Sequence, residues 1–289
     1  MLAVCLLVAV SLRVSAQTAA EWVVKGRALL DSSKNDAAVK AFEKAVKLED
    51  GSSANHMWLA QALGSVARKS NVIKQGMMAG RIKKEMERAR ELDPRSIDPH
   101  QGLIEFYLEA PGFMGGSVDK ARIEAVEIAK INKLRGHFAE VDIARHEKDS
   151  ARMEREYRAA ANEFPDSAVA YATFAFYLVN TKRNPEAFGV IERILARKPE
   201  PPMGLFYLGR LSIETGMSLD RGEAALRKYI TIPPDTTDKS RAGPASAHFR
   251  LGEILVKRGN SAEARKEFET ALGLNPKLEA ARTALKNLR

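Results

Sequence analysis

Small and large apolar residues recur along this chain in a two-part pattern. Three segments place a small residue, a large apolar one four positions on, another three further, and an acidic residue or proline after five more: Ala38, Phe42, Ala45, Asp50; Ala187, Ile191, Ile194, Pro199; and Ala264, Phe268, Ala271, Pro276. A second set stands sixteen, thirteen, twelve and nine positions before each first small residue: Trp22, Lys25, Gly26, Leu29; Tyr171, Phe174, Ala175, Leu178; and His248, Leu251, Gly252, Leu255. Spacings of three and four put each set on one face of a helix. Between the sets lie Asn184-Pro185 in the middle segment and Arg258-Gly259-Asn260 in the last, residues that end one helix and begin another. Each segment therefore predicts two antiparallel helices that cross closely at their small residues.

Other parts of the chain fit the same unit once insertions are allowed. One has His56, Leu59, Ala60, Leu63 and then Ile82, Met86, Ala89, Pro94, with about ten extra residues between the helices; the next has His100, Leu103, Ile104, Tyr107 and then Ala121, Ala125, Ile128, with about five. A fourth keeps Met153, Tyr157, Ala160 and Pro165 but places Glu140 where a large apolar residue is expected, and a sixth has Leu205, Leu208, Gly209 and then Gly222, Leu226, Tyr229.

These residues resemble the tetratricopeptide repeat family, and Pro165 and Pro199, which close successive units, lie 34 positions apart. The resemblance implies an all-α fold, a right-handed α-solenoid of about seven antiparallel helix pairs with a C-terminal capping helix. The repeats fall near 19–52, 53–96, 97–133, 134–167, 168–201, 202–244 and 245–278, with the cap at 279–289 carrying Ala281, Leu285 and Leu288 on one face. In the family the first helix of each pair lines a concave face that holds extended peptides or partner helices. Carried over by offset, that face here includes Trp58, Gln61, Gln101, Glu105, Arg145, Phe176, Tyr207 and Arg210, which are the candidate ligand-binding residues. Family members that grip C-terminal carboxylates carry Lys and Asn at such offsets. Here the first repeats hold Val23, Arg27, Met57 and Gln61, so that specialised function is not carried over.

Ahead of the repeats, Leu2 to Val10 is an unbroken apolar run followed by Val14-Ser15-Ala16, which reads as a secretory signal over 1–16 cleaved before Gln17. No basic residue precedes the run, and a buried N-terminal helix is the alternative. The run is too short to cross a bilayer, and no stable membrane span is expected. The expected location is periplasmic or secreted, and the stretch from Phe106 to Ser117 is similar to one in a group of exported bacterial tetratricopeptide proteins. Within that stretch, Ala110-Pro111-Gly112 ends a helix and Ser117 caps the next. An enlarged turn that needs glycines at positive φ is favoured there over a ligand-binding loop.

Composition narrows the function classes. Only one cysteine, Cys5, occurs among 289 residues, which excludes a disulfide framework or a CxxC metal site. The net charge of +9, from 46 basic and 37 acidic residues, could mark a nucleic-acid binder only if it were clustered. The segment from Arg81 to Glu91 instead mixes both signs at helical spacing, as a solvated face does, so no nucleic acid is expected. His56, His100, His137 and His248 share one repeat offset. Neighbouring helices lie roughly 8 to 10 Å apart, too far for such residues to converge on an ion, so they read as packing positions with no metal. Glu105 and Glu109 read as solvent-facing. Without a catalytic motif or a cofactor fingerprint, neither enzymatic activity nor a cofactor is expected. The expected function is a protein-binding scaffold with a protein or peptide partner. The alternative is a carrier of a small apolar ligand or lipid, for example as an accessory to a transporter, in which Trp58, Tyr107 and the turn from Pro111 to Ser117 close a pocket.

Overall fold

A computed structural model describes residues 17–197, 201–234 and 241–288. The signal-like segment 1–16 lies outside them, as does Arg289 of the cap. The described residues are all-α: α1 (Ala19–Asp31), α2 (Asn35–Leu48), α3 (Ser53–Ala67), α4 (Val72–Leu92), α5 (Ile97–Glu109), α6 (Val118–Ile131), α7 (Lys133–His146), α8 (Ser150–Glu163), α9 (Ala168–Asn180), α10 (Asn184–Leu195), α11 (Pro202–Thr215), α12 (Leu219–Thr231), α13 (Pro244–Lys257), α14 (Ser261–Leu274) and α15 (Glu279–Asn287). Consecutive helices pair as the sequence pattern requires: α1 with α2, α3 with α4, α5 with α6, α9 with α10, α11 with α12 and α13 with α14.

Local chemistry sets the helix ends. Thr18 and Glu21 form a reciprocal capping box at α1, and the side chains of Asn71, Ser117, Ser167 and Asn260 each accept a hydrogen bond from a first-turn amide. Gly216 ends α11 in the left-handed conformation. Within the pairs, close crossing depends on residues without a side chain. A Cβ on Gly26 would lie 2.6 Å from the Phe42 ring, and one on Gly252 would lie 2.4 Å from the Phe268 ring. Only glycine lets those rings reach the facing backbone.

The chain divides into two compact units, one ending at Ala139 and the other beginning at Glu140. In the first, Ala38, Phe42, Leu59, Ala62, Leu63 and Ile82 form a buried cluster. The second has a larger core that includes Phe174, Ile191, Leu211, Leu226, Leu251 and Phe268. Ala284, Leu285 and Leu288 at the chain's end pack on this second core, and Ala281 is fully buried, so α15 covers what would otherwise be an open apolar end.

The insertions depart from the simplest reading of the sequence. Most of the extra residues of the second repeat do not form a loop between helices; they lengthen α4, which runs 21 residues from Val72. The extra residues of the third repeat form a short 3-10 turn, Gly112–Met114. Gly115 follows at φ 101°, and a Cβ on Gly116 would lie 1.8 Å from the Ala110 carbonyl oxygen, so both glycines are required by the turn.

Candidate functional site

In the first unit α3 and α5 approach each other only weakly, and α4 forms the floor between them. The result is a cleft of about 720 Å³. Its floor is apolar: Ala79, Ile82 and Met86 come from α4, while Met57 and Trp58 come from α3 and Phe106 from α5. Met57 and Met86 converge on Gly102, where an added Cβ would meet both methyl groups within 3.4 Å. Pro111 and Met114 of the 3-10 turn line one end. The rim carries Asp93, Asp98, Glu105 and Glu109 against a single lining cation, Arg68.

Four of the eight residues singled out from the sequence, Trp58, Gln61, Gln101 and Glu105, line this cleft together. Trp58 is held by two ring contacts. Its ring stacks on Phe42 at 5.9 Å between centroids and 9° between planes, and the Arg27 guanidinium lies 5.1 Å from its centroid. Trp58 and Gln61 also line a second hollow of about 500 Å³ beside Arg27, Asn35 and Arg68, so the indole stands as a wall between two depressions.

Tyr107 does not line the cleft. It is buried, and burial first, then the nearby Glu87 carboxylate, pushes its hydroxyl above the ordinary tyrosine value. Because Asp98, Glu105 and Glu109 on the rim are exposed, the cleft is open rather than the enclosed apolar cavity that the carrier alternative calls for.

Three other candidates gather in the second unit. The Arg210 guanidinium lies 4.6 Å from the Phe176 ring centroid, and Phe176 meets Tyr207 edge to face at 6.4 Å. Arg210 Nε is buried without a hydrogen-bond partner among the described residues. Burial, with Arg250 adding like-charge repulsion, pushes the guanidinium below its ordinary value. Burial likewise raises the Tyr207 hydroxyl, although Arg210 opposes that shift. Arg145 is engaged elsewhere: it pairs with Asp142 at 2.6 Å and donates to the Tyr157 hydroxyl at 3.3 Å.

Three of the four shared-offset histidines have a glutamate partner that the sequence reading missed. His56 Nδ1 lies 2.6 Å from Glu85, His100 Nδ1 lies 2.6 Å from Glu124, and His248 Nδ1 lies 2.7 Å from Glu267. Each glutamate sits three residues after the first residue of its second-helix motif: Ile82, Ala121 and Ala264. Glu85 therefore corrects the reading of Arg81 to Glu91 as a solvated face throughout, because its side chain is 15% exposed and turned toward His56. Among the described residues no three His, Cys, Asp or Glu side chains are grouped as a metal site would require.

Family models agree with the helix-pair architecture. Tetratricopeptide repeat models match residues 23–63 and 245–278. No curated protein matches the chain significantly. Among solved structures, a tetratricopeptide repeat protein from Parabacteroides merdae aligns at 15% identity and a TM-score of 0.48, covering 94% of this chain and 98% of that one. YrrB, described as a TPR protein with an unusual peptide-binding site, aligns at 15% identity and a TM-score of 0.39, covering 86% of this chain and 99% of its own. Repeat models that match near both ends, and paired helices packed through small residues at the repeat offsets, identify the chain as a tetratricopeptide repeat protein.

Proposed function

We propose that this protein is a binding scaffold of an exported compartment, and that the cleft between α3 and α5 holds a segment of a partner protein. The observation that carries the reading is the cleft's make-up, an apolar and methionine-rich floor beneath an acidic rim. Methionine side chains adapt to varied apolar shapes, and Trp58 offers a rigid aromatic anchor. Asp98, Glu105 and Glu109 favour a segment that carries Lys or Arg beside its apolar residues, because opposite charge at the rim steers encounter and fixes register. Phe176, Tyr207 and Arg210 give the second unit an aromatic and cationic contact of its own. The signal-like segment 1–16 supports export.

A photo-crosslinking residue in place of Gln101, tested in the full chain in its own cells, should capture a polypeptide that the same residue in place of Lys130 on α6 does not. Trp58→Ala in the crosslinking chain should reduce that capture about tenfold or more, as loss of an aromatic anchor does. If Gln101 and Lys130 crosslink alike, the cleft is not the binding face. If native mass spectrometry shows a small added mass and no polypeptide, the carrier alternative replaces the scaffold. An intact mass that begins at Gln17 is expected for the mature chain, and a mature chain that retains residues 1–16 removes the support for export.

A further inference from the structure

The two insertions of the first unit meet in space. The N-terminal extension of α4 packs on the 3-10 turn Gly112–Met114, and the Met114 methyl group lies 3.1 Å from where a Cβ on Gly76 would stand. Around this contact large apolar side chains point to solvent: Val72 is 67% exposed, Ile73 77%, Met77 78% and Phe113 85%. Apolar side chains this exposed and this close together mark a surface that meets something other than water.

Charge indicates what that is. From Gly51 through Lys84 there is no Asp or Glu, and the turn from Ala110 to Val118 has none either, with Glu109 and Asp119 on its flanks. Arg81 and Lys83 in the same stretch are paired with Glu43 and Glu87. Arg68 is hydrogen-bonded to the Ser65 hydroxyl, and the exposed Lys69 and Lys74 make no ion pair among the described residues. The side chains protrude singly from two tips and do not line a groove. A folded protein partner would need a cavity matched to each tip, whereas a fluid lipid interface accepts separate apolar tips and places cations at its phosphates. No described helix is long and apolar enough to cross a membrane, so any such contact is made at the surface.

We infer that Ile73, Met77 and Phe113, with Lys69 and Lys74 beside them, form a docking surface for an anionic lipid bilayer. The apolar tips enter the acyl boundary while the lysines meet headgroup phosphates. Arg68, Gln75 and Met114 of the same region also line the cleft, so docking would bring the cleft's end close to the lipid surface.

Vesicle flotation of the full chain tests this with phosphatidylcholine vesicles and with vesicles containing about 30% phosphatidylglycerol. The protein should float with the anionic vesicles at low salt and detach at about 0.5 M salt. Replacing Ile73, Met77 and Phe113 by serine should weaken flotation about tenfold or more without lowering the urea midpoint, because these side chains are exposed. Lys69→Gln and Lys74→Gln should each weaken it about fivefold. In Phe113→Trp the added indole emission should shift to the blue only with anionic vesicles. Equal flotation of the serine variant, or equal binding to neutral vesicles, overturns the inference. So does a wild type that binds no vesicle but sediments as a dimer that the serine variant dissociates, since the patch is then an interface between copies.

Discussion

His100 Nδ1 lies 2.6 Å from the Glu124 carboxylate, and both side chains are 4% exposed. Glu124 also accepts from Arg90 at 2.5 Å, and His100 Nε2 faces the Pro94 carbonyl, so one buried carboxylate ties α4, α5 and α6 together. Removing one partner of such a set leaves the others desolvated and unpaired. Glu124→Ala should therefore destabilise the first unit by about 3 kcal/mol. The sixth repeat fills the matching positions with Leu205 and Ala225. Copying it, the double change His100→Leu with Glu124→Ala should recover at least half of the loss. Both tryptophans, Trp22 and Trp58, lie in the first unit, so urea unfolding followed by tryptophan fluorescence reads that unit alone. Equal loss in the single and double variants would show that the pair acts through packing volume and not through its charge.

That pair also shows where sequence reading runs out. Helix pairing was legible because small residues recur at fixed offsets and the crossing requires them: Gly252 against Phe268 is one contact seen twice, once as spacing and once as distance. Glutamate partners were not legible in the same way. The insertions stretch the histidine-to-glutamate separation from nineteen residues at His248 to twenty-four at His100 and twenty-nine at His56, which hides a common geometry. Counting from the first residue of each second-helix motif would have exposed it. Of the candidate site, the first-helix residues Trp58, Gln61, Gln101 and Glu105 could be placed by offset. Met86 and Met114 could not be assigned to the cleft, because one is a second-helix residue and the other sits in an insertion.

Gly252 allows a sharp test of close crossing. In an exposed helix, replacing Gly by Ala stabilises by about 1 kcal/mol. At Gly252 the new methyl group would collide with the Phe268 ring, and Gly252→Ala should instead cost about 1–3 kcal/mol. Gly189 in α10 has nothing within 4 Å of an added Cβ and provides the control. Gly189→Ala should raise the urea midpoint followed by circular dichroism. A rise in both variants would mean that α13 and α14 can move apart at little cost.

Arg210 is predicted to limit stability. Its guanidinium is partly buried, with Nε unpartnered among the described residues and Arg250 close enough to oppose its charge. A side chain kept for folding would be paired, whereas one kept for binding can remain under strain until a partner arrives. Arg210→Met keeps an apolar stem against Phe176 and removes the charge, and should raise the midpoint of the second unit in circular dichroism. A lower midpoint would make the Arg210 contact with Phe176 a structural one.

The second unit should also weaken in acid through identifiable carboxylates. For Glu223, burial acts to raise the carboxyl, but hydrogen bonds from Arg227 at 2.8 Å and from Arg258 outweigh it and hold the group below its ordinary value of 4.5. Glu154 is lowered first by its hydrogen bond from Arg183, with burial opposing and Arg158 adding. A carboxyl depressed in the folded state binds its proton more readily in the unfolded chain. Its contribution is therefore complete above the unfolded value and is lost as pH falls below 4.5 and through the lower folded value. Urea midpoints followed by circular dichroism should hold level between about pH 7 and pH 5.5 and fall below about pH 4.5. Arg258→Gln removes one of the two donors that depress Glu223, so the variant should start from a lower midpoint at neutral pH and lose less of it in acid. Wild-type and variant curves that fall in parallel would place the acid sensitivity in other carboxylates and leave the Arg258 bridge without a measurable share of it.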